Sequence, residues 1–200
     1  MILPTAKIYP YRLSDYTYFF LTGGSVKDSV EIYAIKQPCG GVPNNSLPLL
    51  IYPGAAVQAT GDLADWFEQC FERNDWPPRW RYPIFTYTHF HSNTHEVLGV
   101  YQGSAQVQFG GEAGPVLTLK QGDAVLIPAG VGHKQIAASQ DFMAVGAYPR
   151  GFSPDKCLDK PEQRDAMQRN VERVPLPDSD PLLGERSGIN THWRHQGRGD

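Results

Sequence analysis

The chain has 200 residues and a formal net charge of −3, with 40% hydrophobic and 20% charged residues. That length supports one domain with a substantial core and leaves little room for two. Lys and Arg are scattered except near Arg194 and Arg198, which argues against a nucleic-acid partner, and no apolar run approaches the ~20 residues that cross a membrane.

Glycine (20) and proline (17) are abundant, as expected of short strands and tight turns rather than a helical bundle. The start, MILPTAKIYPYRL, lacks a basic segment followed by a long apolar stretch, so no secretory signal is expected. Cys39, Cys70 and Cys157 lie far apart and match neither a disulfide framework nor a zinc knuckle. A reducing, cytoplasmic location is the expectation.

In chain order, Thr17–Thr22, Ser29–Ile35 and Leu47–Tyr52 read as strands, and Cys39–Asn45 (CGGVPNN) has the composition of an exposed loop. Leu63, Trp66, Phe67, Cys70 and Phe71 fall on one face of a helix, with Asp62 as its N-cap and Asn74 and Pro77-Pro78 as its stop. Trp66 and Cys70 are expected in the core. From Arg81 to Pro149, period-2 stretches alternate with glycine turns: FTYTHFH, EVLGVYQG, SAQVQFGG, VLTLKQG, AVLIPAG, HKQIAA and FMAVGAY. Such spacing predicts an antiparallel sandwich or barrel. Beyond Pro149, Pro161 opens a short helix to about Arg173. The tail after it is expected to be extended, its last ten residues disordered, and His192 and His195 without a role.

The chemistry concentrates in His89-Phe90-His91-Ser92-Asn93-Thr94-His95-Glu96. His89 and His91 are two apart on a strand, so both imidazoles face one way. A short loop then lets the next strand present a carboxylate or an imidazole. His95 and Glu96 are neighbours, and only one of them can point with the pair. Tyr87 shares the parity of His89, as a cavity-lining or a core residue. Gly122-Asp123 turns into a strand, and Pro128-Ala129-Gly130 turns again to deliver His133. Imidazole and carboxylate suit Fe, Mn, Ni, Cu or Zn.

These segments resemble the two motifs of the cupin superfamily. His89, His91, Glu96 and Gly103 match the first, and Gly122, Pro128, Gly130 and His133 the second. Pro83 replaces the leading glycine, and Ala137 the closing asparagine. The chain as a whole, with NNSLPLLIYPGA, WPPRW, HEVLGV and VGAYP, is similar to bacterial single-domain cupins of unassigned function. The resemblance implies an all-β fold, a jelly-roll barrel with one helix before it and a short helix after it. Residues 1–200 would form a single domain, with a barrel core at about 81–150 and residues 151–200 as an extension packed on it. It also implies one divalent transition metal (Fe, Mn, Ni or Zn) held by His89, His91, Glu96 and His133, with His95 at the surface or behind the ligands.

The expected activity is that of a metal-dependent oxidoreductase of the dioxygenase kind acting on a small organic molecule. A metal-dependent isomerase or decarboxylase, or a small-molecule-binding protein whose metal only organises the pocket, are the alternatives. No nucleophile, general base or dinucleotide motif is legible. Strand edges and the Trp- and Phe-rich helix stripe suggest a homodimer.

Overall fold

The computed structural model describes residues 30–185 and 188–194. In chain order these form β1 (Glu31–Tyr33), β2 (Leu49–Tyr52), α1 (Leu63–Arg73), β3 (Pro78–Tyr82), β4 (His89–Phe90), β5 (Glu96–Gln102), β6 (Ser104–Phe109), β7 (Val116–Lys120), β8 (Ala124–Ile127), β9 (His133–Ala138), β10 (Met143–Ala147) and β11 (Cys157–Leu158). A 3-10 turn (Pro161–Gln163), α2 (Arg164–Val171) and α3 (Ile189–His192) follow. Two antiparallel sheets result, ordered β1-β2-β8-β5-β10-β3 and β11-β4-β9-β6-β7. The expected strand at Thr17–Thr22, Ser29, His195 and Arg198 lie outside the described residues.

Strand β5 shows how the sheets are held. Leu98 and Val100 point between the sheets, where they join Val107, Phe109, Leu119 and Ile127 in one buried cluster. Val97 points the other way, into a second cluster with Phe67, Phe71, Leu126, Val145 and Trp193. Both faces of β5 are therefore dry, and its sequence reads as an apolar run rather than as an alternation. Glu96 has the parity of Leu98, and His95 that of Val97.

Helix α1 lies on the outer face of the six-stranded sheet. The Asp62 side chain accepts from Asp65 N at 3.0 Å, and Asn74 closes the helix. Phe67 and Phe71 are fully buried, each contributing about 1.5–3 kcal/mol of burial. At Gly99 of β5 an added Cβ would come within 2.5 Å of the Phe67 ring, so helix and sheet touch where a side chain is missing. Cys70 is buried, whereas Trp66 is only partly so. The stripe packs mainly on its own sheet, with Leu63 and Trp66 partly buried at its margin.

Several local expectations are corrected. Gly41–Asn44 is buried, not exposed. Its polar groups find protein partners in place of water: Cys39 and Val42 exchange backbone bonds, Asn44 N donates to Gly130 O at 3.0 Å, and Asn44 Nδ2 donates to Gly110 O at 3.0 Å. The helix stops before Pro77 as expected, and an unassigned strand, β3, follows, with proline as its first residue at a sheet edge where no second partner needs its N–H. The tail is not simply extended. Its described part includes α3, followed by a buried Trp193 whose Nε1 donates to Pro48 O at 2.9 Å. Expected helix Pro161–Arg173 is a 3-10 turn followed by α2, which stops at Val171. Among the described residues, no helix is long and apolar enough to cross a membrane.

Candidate metal centre

The site lies between the sheets at one end. His89 opens β4, His133 opens β9, and the two are paired across the five-stranded sheet. His91 follows β4, and Glu96 enters from the opposite sheet as the first residue of β5. Gly130 makes the turn that aims His133 possible. Its φ is +82°, and an added Cβ would lie 2.9 Å from Asn44 O.

Each imidazole is held from behind by a backbone carbonyl. His89 Nδ1 lies 3.3 Å from Tyr87 O, His133 Nδ1 lies 3.2 Å from Val131 O, and His91 Nδ1 bonds Asp155 O. A carbonyl can only accept, so the proton of each neutral ring sits on Nδ1 and Nε2 keeps its lone pair. One ligand atom from each of the three histidines lies within 4.8 Å of the others. Glu96 Oε2 is 3.2 Å from His133 Nε2 and 3.4 Å from His91 Nε2. Neighbouring ligands on a first-row metal with bonds near 2.1 Å are about 3 Å apart.

Glu96 Oε2 is buried and accepts no hydrogen bond. An oxygen in that state is costly unless a cation meets it. Three imidazole lone pairs and one carboxylate oxygen converging without hydrogen bonds fit a divalent transition metal. The other oxygen, Oε1, accepts the Tyr148 phenol at 2.6 Å, and Tyr148 Oη itself accepts from Trp80 Nε1 at 2.9 Å. This chain fixes the carboxylate so that one oxygen faces the histidines.

The clustered groups perturb one another in different directions. Burial, with the charge His133 can carry, pushes His89 down to about 3. Burial would raise Glu96, but the charges His91 and His133 can carry hold it well below the usual carboxylate range. For His91, burial works downward, yet Glu96 and Asp155 carry it above the ordinary imidazole value. Burial and the Glu96 charge push Tyr148 up, which keeps its proton in place.

The structure thus brings His89, His91 and His133 together and sets Glu96 against two of them. His95 is set apart, and it is neither at the surface nor among the donors. It is fully buried on the outer face of its sheet, its Nδ1 accepts from Ala129 N at 3.0 Å, and its ring packs on Trp193. Tyr87 neither lines the cavity nor enters the core. Strand β4 begins only at His89, so parity does not extend back to it, and Tyr87 stacks outside on Phe85 with centroids 5.0 Å apart. His192 is half-buried beside Trp193. Tyr148, Trp80 and the Asp155 carbonyl were not foreseen. Strand parity would have flagged only Tyr148, as a polar tip at the end of a buried strand.

Residues 80–145 match the cupin domain family. A protein of Bacillus subtilis (strain 168), the uncharacterized protein YjlB, is 42% identical over 155 residues, covering 77% of this chain and 91% of that protein. The chain is a cupin. Among solved structures, the cupin is similar to the DMSP lyase DddQ from Ruegeria pomeroyi DSS-3, at 19% identity over 76% of this chain and 57% of that chain, with a TM-score of 0.32. It is also similar to Lactobacillus farciminis oxalate decarboxylase in its formate complex, at 17% identity over 80% of this chain and 42% of that chain, again with a TM-score of 0.32. The cupin spans about half the length of those two chains, and likenesses of that order say nothing about activity.

A cavity of about 430 Å3 opens directly above the donors, with Trp80, Tyr82, Ile84, Phe85 and Leu98 among its walls. His89, His91, Glu96 and His133 are themselves among its lining residues, so the donors face this cavity.

Proposed function

We propose that this cupin is a metal-dependent enzyme, an oxidoreductase of the dioxygenase kind acting on a small organic molecule in the inter-sheet cavity. The observation that carries the reading is the position of the donors: three imidazoles and a carboxylate at the floor of an apolar cavity, not a closed cysteine-rich site of the structural kind. A bound Fe(II), Mn(II), Ni(II) or Zn(II) would have about two positions free of protein and would activate oxygen or polarise a substrate oxygen.

The chain's own residues supply orientation and dryness. The carbonyls of Tyr87, Val131 and Asp155 hold the rings, Tyr148 holds Glu96, and Ile84, Phe85 and Leu98 exclude water from above. Among the described lining residues, Tyr82 presents an exposed phenol, whereas Tyr148 and Arg81 are engaged. The Tyr148 proton is committed to Glu96, and Arg81 is bound to Asp65 and Glu68.

Protein stripped by a chelator and reloaded anaerobically with each metal tests this. On admission of air with diketones, catechols, thiols or hydroxy acids, metal-dependent oxygen uptake is expected. A metal that stays closed to every added ligand, azide included, would instead mark a binding module whose metal only organises the pocket.

A further inference from the structure

The cavity walls restrict what can sit on the metal. Residues 80–85 form much of the rim and present Trp80, Tyr82, Ile84 and Phe85. Tyr82 is 59% and Phe85 36% exposed, and both belong to the walls of one cavity, an apolar surface suited to an apolar occupant. An engineered cavity of about 150 Å3 is enough to take benzene, so about 430 Å3 accommodates a ring together with a metal-binding head.

Charge restricts the occupant further. Arg81 is the one cationic side chain among the described lining residues. Its guanidinium is turned to α1, where Nη2 donates to Asp65 Oδ1 at 2.6 Å and to Glu68 Oε2 at 2.8 Å, and Nε donates to Glu68 Oε1 at 2.7 Å. Lys156 reaches the ring of Phe85, 5.2 Å from its centroid, but lines the neighbouring surface groove rather than this cavity. A divalent metal with Glu96 ionised and three neutral imidazoles leaves one net positive charge. A ligand that loses one proton on chelation cancels it. A small dianion would leave a net negative charge in an apolar cavity whose one lining cation is already held by Asp65 and Glu68, which is unfavourable.

Resting on the metal-enzyme reading above, we propose that the substrate is a flat, largely apolar aromatic molecule that meets the metal through two adjacent oxygens and carries at most one negative charge there. Small dicarboxylates are excluded as substrates by the same walls. The aromatic rim grips the ring while the donors at the floor receive its polar edge.

The test uses binding rather than turnover. The full chain loaded with Co(II) is titrated with acetohydroxamate, benzohydroxamate, oxalate and azide, following the visible spectrum of the metal. The two hydroxamates share one chelating head and differ by the ring, so benzohydroxamate is expected to bind at least tenfold more tightly. Oxalate at equal concentration should not displace it. Phe85→Ala should remove most of the preference for the ring, with Tyr82→Ala as a second variant should the first fail to fold. If azide perturbs the spectrum but the ring adds nothing, or oxalate displaces benzohydroxamate, the substrate class is wrong and the open metal site stands. If azide also fails, both fall.

Discussion

Glu96 is constrained at both oxygens, and the two constraints differ in kind. Oε1 receives the Tyr148 phenol, whereas Oε2 meets only imidazole nitrogens. In Tyr148→Phe the carboxylate is free to rotate toward two-oxygen coordination. Metal affinity should then fall roughly tenfold, the lower end of what outer-shell partners contribute, and the Mn(II) electron paramagnetic resonance spectrum should change. An unaltered affinity and spectrum would show that the strand alone orients Glu96. Glu96→Gln and His133→Ala, which remove donors outright, should each weaken metal binding by more than about 100-fold, beyond that outer-shell range. His95→Ala should leave affinity within a few-fold yet destabilise the fold by about 2–4 kcal/mol, because Ala129 N loses its buried acceptor and Trp193 its neighbour. Metal titration and denaturant unfolding separate the two effects, and loss of metal from His95→Ala with retention in Glu96→Gln would reverse the assignment. The three histidines that the fold gathers were placed by local relations, a pair two positions apart at one strand and a third after a Pro-Gly turn, whereas the choice of Glu96 over its neighbour came from the resemblance to the cupin motif. Tyr148 and Asp155 were not legible, since they reach Glu96 and His91 across 52 and 64 residues, and nothing in composition pairs residues over such distances.

At the scale of elements, the segment after Pro149 is part of the site. Asp155 lends its carbonyl to His91, its Oδ1 accepts from Ser92 N at 2.7 Å, and its Oδ2 accepts from Ser92 Oγ at 2.5 Å. Asn93 Oδ1 accepts from Asp155 N at 3.0 Å, closing the lock from the other side. Asp155→Ala should therefore cost about 1–3 kcal/mol by leaving the buried Ser92 N–H and hydroxyl short of an acceptor, and should weaken metal binding through His91. Hydrogen exchange should rise in both 91–94 and 153–157. A rise confined to the second stretch would mean that the loop holds its shape unaided. Strands β5 to β10 and helix α1 were readable from periodicity and turn glycines. Strand β3 was hidden because Pro77-Pro78 reads as a stop, although proline is tolerated at the first position of an edge strand. Two-residue β11 and four-residue α3 carry too few positions for any period to show. The Cys39–Asn45 loop misled for a tertiary reason: at its buried centre, Gly41–Asn44, the partners that solvent supplies to ordinary loops of that composition are Gly130, Gly110 and Asp159.

For the whole molecule, the centre is a cross-link. His89 and His133 belong to the five-stranded sheet and Glu96 to the six-stranded one, so a metal bound by all of them ties the sheets at the open end of the cavity. The far larger tie is apolar: Leu98, Val100, Val107, Phe109, Leu119 and Ile127 pack between the sheets and are buried throughout. The fold should therefore survive without metal while losing some stability. Metal at about 100 times its dissociation constant stabilises by about 2.7 kcal/mol. For a chain of this length each kcal/mol moves the melting temperature by about 2–4 °C. Chelation should thus lower it by roughly 5–11 °C, with the far-ultraviolet circular dichroism of the folded state unchanged at room temperature. Thermal melts with and without chelator, and across a metal titration, measure this directly. A chelated protein that loses its β signal at room temperature would show the metal to be structural, as in small domains that fold only around zinc. A melting temperature indifferent to Fe, Mn, Ni and Zn alike would show that Glu96 and the histidines do not share an ion. The intermediate result, a folded apoprotein with a metal-dependent melt, is expected of a site built for exchangeable ligands on an independently stable scaffold.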